Sequence, residues 1–81
     1  MAKPSPTYAG VAALTAIGKA VRAARLAQGV SQEVLAHDAG LDRSYVGGIE
    51  RGAHNLTVMK LLRIADQLGI KASDLLRRAG L

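Results

Sequence analysis

The chain has no cysteine, phenylalanine or tryptophan, and only two tyrosines and two prolines among its 81 residues. Without cysteine there are no disulfides and no thiolate metal sites, which agrees with a reducing cytoplasm. Without Phe or Trp, the core has to be assembled from Leu, Val, Ile and Ala. Such an alanine-rich, aromatic-poor composition favours helices packed in a small bundle and disfavours a sheet. No apolar run approaches the length needed to span a membrane. One domain of this size lies near the lower limit for a self-sufficient core. Acidic residues are absent from residues 1–30, which hold Lys3, Lys19, Arg22 and Arg25; the remainder carries seven basic residues against six acidic. The resulting net charge of +5 suits a polyanionic partner, with an attraction that weakens as salt is added.

Catalytic groupings are missing too. His37 and His54 are far apart in the pattern, and no carboxylate pair has metal-ligand spacing. His37 and Asp38 are neighbours whose side chains diverge on a helix. Gly47-Gly48 lacks the flanking motif of a phosphate-cradling loop. The expectation is a binding protein with no enzymatic activity, no cofactor, no metal and no small-molecule ligand.

What is present is concentrated between Ser31 and Gly52, in the run S-Q-E-V-L-A-H-D-A-G-L-D-R-S-Y-V-G-G-I-E-R-G. Ser31 is a good N-cap for a helix from Gln32 to Ala39, in which Leu35, Ala36 and Ala39 form a narrow inward face. Gly40 suits the left-handed position just past a helix end. Leu41 is placed for burial in the turn, and Asp42 is placed to cap a second helix with Val46 and Ile49 facing inward. Gly52 supplies the stop. Two short helices joined this way form a helix-turn-helix, in which one helix is free to enter a DNA groove while the other braces it.

The outward face of the second helix begins with Arg43, Ser44 and Tyr45. Helices in the major groove read bases mainly with residues near their N-termini, and arginine bidentate to guanine is the commonest specific reader. Gly47 and Gly48 sit mid-helix, each costing about 1 kcal/mol relative to alanine. They are either simply tolerated or leave a bare face for close approach of DNA or a partner.

The flanking segments complete an all-α fold, a bundle of about five short helices. Residues 1–9, with both prolines and no periodicity, read as a flexible arm. Gly10 to Gln28 reads as a first helix with Val11, Leu14, Ile17 and Val21 on one side. Its apolar start after Lys3 has some look of a signal peptide, but Arg22 and Arg25 continue the same helix. Arg51 to Leu56 is a loop, and Thr57 caps a helix carrying Val58, Leu61, Leu62, Ala65 and Leu68, with Lys60 and Arg63 on its solvated face and Gly69 ending it. Ile70 to Leu81 holds a last short helix capped by Ser73, whose Leu75, Leu76 and Leu81 either close the core or form a subunit seam. The domain thus spans residues 10–81.

From about Ile17 to Leu76 the sequence resembles the lambda-repressor and Cro type of helix-turn-helix family, through Gln32, Ala36, Gly40, Leu41, Val46, Ile49 and Glu50 in the family's order and spacing. The run L-D-R-S-Y-V-G-G-I-E-R-G followed by His54-Asn55-Leu56-Thr57 is similar to the controller proteins of bacterial restriction–modification systems. The resemblance implies that Gln32 holds a phosphate and braces the reading helix. It implies that Arg43, Ser44 and Tyr45 contact bases or nearby backbone, with Gly48 on the same face and His54 and Asn55 beside the DNA backbone or groove edge. It also implies a buried ion pair between Arg25 and Glu50; if buried, Arg25 needs such a partner, because an unpaired buried charge is very costly. The double glycine departs from relatives that keep DNA-touching side chains there. The implied function is sequence-specific transcriptional regulation of double-stranded DNA by a homodimer, with Leu75 and Leu76 at its interface. An antitoxin, a phage-type repressor, or a protein-interaction module on the same scaffold are the alternatives.

Overall fold

Leu14, Ile17 and Val21 recur at helical spacing, and they lie on one long helix, α1 (Ser5–Ala27), in a computed structural model that describes residues 5–81 and the side chains from Ala12 onward. The helix begins at Ser5 instead of Gly10, taking up the second half of the expected arm. Pro6 falls in its first turn, where the missing N–H leaves no hydrogen bond unmade. Residues 1–4 and the side chains of Tyr8 and Val11 lie outside the described residues.

Four further helices follow: α2 (Gln32–Ala39), α3 (Arg43–Glu50), α4 (Val58–Gln67) and α5 (Ala72–Arg78). The Ser31 hydroxyl accepts from the Val34 amide at 3.0 Å, and the Thr57 hydroxyl from the Lys60 amide at 3.2 Å. After α2, Gly40 adopts φ 71°, while the Gly40 amide bonds the His37 carbonyl and the Leu41 amide that of Ala36. That pair of bonds is a Schellman closure, and it tucks Leu41 under the turn.

Two expected caps are not made. Asp42 has the extended backbone of an N-cap, yet its side chain makes no cap hydrogen bond, so the first-turn amides of α3 stay open. Ser73 lies inside α5, which starts after Lys71. There Asp74 supplies the negative charge at the helix start and pairs with Arg77 at 3.0 Å and Arg78 at 3.1 Å.

The core is aliphatic and alanine-rich. α3 packs between α1 and α2, α4 rests on α2, and α5 closes the bundle against α1 and α4. Val21, Leu35, Val46, Ile64, Leu68 and Leu75 are the largest fully buried side chains. Leu75 is therefore a core residue of the single domain and has no surface to offer a second subunit, which corrects its expected interface role. Leu76 is half-buried at the margin of the same cluster. The Gln28 amide donates to the Leu68 carbonyl, joining the end of α1 to the end of α4.

The closest crossing is between α1 and α3. A methyl group on Gly18 would come within 2.7 Å of the Glu50 carbonyl oxygen, and nearer still to that of Ile49. The absent side chain lets α1 run directly against the C-terminal end of α3. Two turns further along, α1 presents Arg25 to Glu50. Arg25 Nε donates to Glu50 Oε2 at 2.6 Å and Nη2 to Oε1 at 3.0 Å, while Nη1 bonds the Val30 carbonyl at 2.8 Å. Gln32 Nε2 adds a donor to Glu50 Oε1 at 3.0 Å. Three helices are thus joined through one carboxylate, and Arg25 ties in the segment after α1 as well. No buried side-chain polar atom among the described residues lacks a partner.

Burial alone would push the Glu50 carboxyl up. The Arg25 and Gln32 hydrogen bonds and the charges of Arg25 and Arg22 outweigh it and hold the group below its ordinary value. Arg25 is shifted up, chiefly by its hydrogen bond to Glu50, so both partners are charged at neutral pH.

Two outcomes follow from this packing. Gly18→Ala, which at an open helical site would stabilise by ~1 kcal/mol, should instead destabilise by about 2 kcal/mol or more in urea unfolding. Glu50→Gln strands a buried guanidinium and should cost about 3–5 kcal/mol at neutral pH. A carboxyl shifted down contributes stability above its ordinary value and loses it on acidification. The gap between the natural chain and Glu50→Gln should therefore be full above pH 4.5 and shrink as the pH falls below it, as read by thermal unfolding across that range.

Candidate nucleic-acid interface

With Val46 and Ile49 locked into the core, helical geometry turns the residues at the start of α3 outward. Arg43 and Ser44 are exposed there, on the first turn that a groove-bound helix uses for base contacts. Arg43 makes no ion pair among the described residues, so its guanidinium is free for a bidentate contact. Gln32, at the first position of α2, spends its amide nitrogen on Glu50, which ties the two helices of the motif together.

Tyr45 is placed differently from its two neighbours. Its ring stacks on that of His54 with centroids 4.4 Å apart and 22° between planes, and Lys60 Nζ stands 4.3 Å from the same centroid. The phenol ring is thus stacked on an imidazole and approached by an ammonium. Tyr45 is half-buried as a result, and only its edge remains for an outside partner.

The glycine pair is not a bare face. A methyl group at Gly48 would lie 2.5 Å from His54 Cδ2, so the imidazole already fills the space beside this residue. One at Gly47 would lie 3.3 Å from Arg51 Nη1 and 3.5 Å from Gln32 Oε1. Both glycines are buried beneath side chains of this same chain. The expectation that Gly48 itself touches DNA is corrected accordingly: its surface belongs to His54. Asn55, next in the loop, is exposed.

The structure thus brings Gln32, Arg43, Ser44, Tyr45, His54 and Asn55 onto or beside one helix, braced from behind by Arg25 and Glu50. It leaves Leu75 and Leu76 on the far side of the bundle, on α5. Two further basic residues join the surface. Arg51 stands four positions after Gly47, and that spacing was a legible sign that its side chain would cover the glycine. Lys60, expected on a solvated face, reaches Tyr45 from the first turn of α4; no sequence spacing links those two positions.

Comparison with known proteins agrees with this geometry. The helix-turn-helix family profile matches residues 21–75. The control protein C.SmaI of Serratia marcescens is 41% identical over 61 residues, which cover 75% of this chain and 73% of that protein. The control protein C.BamHI of Bacillus amyloliquefaciens is 40% identical over 60 residues, 73% of this chain and 74% of its own. Among solved structures, the restriction–modification controller protein C.AhdI of Aeromonas hydrophila superposes with a TM-score of 0.75 at 47% identity, covering 76% of this chain and 94% of that one. On the exposed first turn of α3, its braced motif and these matches, the chain belongs to the lambda-repressor and Cro type of helix-turn-helix family.

Proposed function

We propose that this protein is a sequence-specific DNA-binding transcription regulator of the restriction–modification controller type, acting in the cytoplasm as a homodimer on a pseudo-palindromic operator. The observation that carries the reading is the exposed first turn of α3, with the side chains of Arg43 and Ser44 free of partners among the described residues while the rest of the helix is anchored. Arg43 is the base reader, suited to guanine through its paired donors. Ser44 reads beside it, Gln32 positions the motif on a phosphate through the second N–H of its side-chain amide and its backbone N–H, and Asn55 reaches the groove edge. The net charge of +5 supplies attraction to the duplex independent of sequence.

The homodimer is supported by a patch on α4, where Val58 is 70% exposed, Met59 62% and Leu62 44%. These three share one face of the helix through their spacing, and a second copy would cover them. A symmetric pair would set two copies of α3 about 34 Å apart, matching one helical turn of DNA.

Titration of duplexes from the protein's own upstream region, followed by fluorescence anisotropy, should give one tight duplex whose affinity falls steeply with added salt. Binding no stronger than to scrambled DNA would contradict the regulator reading. Arg43→Ala should cost about 1–3 kcal/mol on that duplex and relax preference at one base pair. An equal loss on every sequence would reduce Arg43 to a phosphate contact. Sedimentation at tens of micromolar should give twice the 8.4 kDa chain mass, and Leu62→Glu should return it toward the monomer.

A further inference from the structure

The sequence has no cysteine, and its sulfur is confined to two methionines, Met1 and Met59. An oxidant that reaches this chain therefore meets no thiol first, and a thioether is the sulfur available to it. Met59 lies in the first turn of α4 with 62% of its surface exposed. It belongs neither to the buried core nor to the partly buried side chains packed around that core. Leu61 and Ile64 seat α4 in the bundle from the other side of the helix. Around Met59 stand the exposed side chains of Val58 and Leu62, the latter one turn further along the same face. The thioether thus sits in the middle of the apolar patch that a second copy would cover.

We infer that Met59 is a redox-sensitive modification site in the subunit seam: oxidation to the sulfoxide by a peroxide weakens self-association, and reduction restores it. The inference rests on the homodimer reading given above and adds a regulation to it. In the step, the thioether sulfur gives an electron pair to one peroxide oxygen. The S–O bond forms as the O–O bond breaks, the transferred oxygen gives up its proton, and the other oxygen leaves as water. Sulfur is oxidised by two electrons and the peroxide is reduced by two. The new oxygen is a hydrogen-bond acceptor on a side chain that was apolar. Between Val58 and Leu62, neither of which carries a side-chain donor, it loses its water on association and gains no partner. A two-fold seam holds both copies of Met59, so the cost is met twice. The free subunit exposes the thioether and the assembled one covers it, so the oxidant captures monomers and spares dimers.

The test is sedimentation of the full chain before and after hydrogen peroxide, with mass spectrometry of a proteolytic peptide confirming one added oxygen on Met59. The oxidised chain should show a dimer dissociation constant raised about tenfold or more. Its helicity by circular dichroism should be unchanged, because Met59 lies outside the core. The two methionine sulfoxide reductases, one for each sulfoxide epimer, should return the original constant. Met59→Leu, compared with itself before and after peroxide, should not respond, which separates Met59 from Met1 and from every other oxidisable group. Oxidation of Met59 should also slow as protein concentration rises through the range in which the chain associates. An unchanged constant in chain oxidised at Met59, an equal response in Met59→Leu, or loss of helicity on oxidation would overturn the inference and leave the homodimer standing. An untreated chain that stays monomeric at every concentration would overturn both.

Discussion

The bidentate pair between Arg25 and Glu50 fixes the position of everything that faces outward. Glu50 is the last residue of α3, and its carboxylate is shared by Arg25 from α1 and Gln32 from the start of α2. Arg25 in turn holds the Val30 carbonyl, so the chain leaving α1 is bound to the same knot. A pair this deeply buried contributes through geometry more than through net energy, since desolvation cancels much of the Coulombic gain. What it secures is orientation. α3 cannot rotate about its axis without stranding a charge, and Gly18 lets α1 press against its far end. A surface built on a helix so constrained is held in place before any partner arrives, which reduces the ordering cost of binding.

The outer surface divides along the length of α3. Its first turn carries exposed side chains of its own, Arg43 and Ser44, the readers under the proposed function. Its second turn has glycines, and neighbouring segments cover them: Arg51 and Gln32 over Gly47, His54 over Gly48. Tyr45 stands between the two halves as a post, with Lys60 and His54 against its ring. The arrangement makes the loop after α3 part of the outer surface of that helix. It also links α4 to that surface through Lys60, so the face of α4 that would meet a second copy and the face that would meet DNA belong to one short helix.

Much of this architecture is legible in the sequence because it depends on local rules. Ser31, Gly40 and Thr57 mark helix ends by chemistry that acts over three or four residues, and the inward spacing of Leu35, Ala36, Val46 and Ile49 follows from helical period alone. The Arg25–Glu50 pair is 25 residues apart and was accessible only through family resemblance. Asp42 and Ser73 are good cap residues that make no cap bond: Asp42 leaves its amides open, and α5 begins before Ser73. Leu75 gave the same apolar signal whether bound for a core or an interface, and only the packing of α5 against α1 and α4 decided it. The partnership of Gly48 with His54 depends on where a six-residue loop folds back, which no periodicity encodes. Lys60 illustrates the same point, since its place over Tyr45 arises from how α4 docks beside the motif.

The central claim, that the outer first turn of α3 and the loop residues beside it form the DNA-binding surface, is tested most directly by amide NMR titration of the full chain with a short duplex from its own upstream region. The account predicts that the largest shifts and the strongest protection fall on Arg43 to Gly48 and on His54 and Asn55, with α5 nearly unchanged. Largest changes on α5, with the α3 signals unmoved, would contradict it.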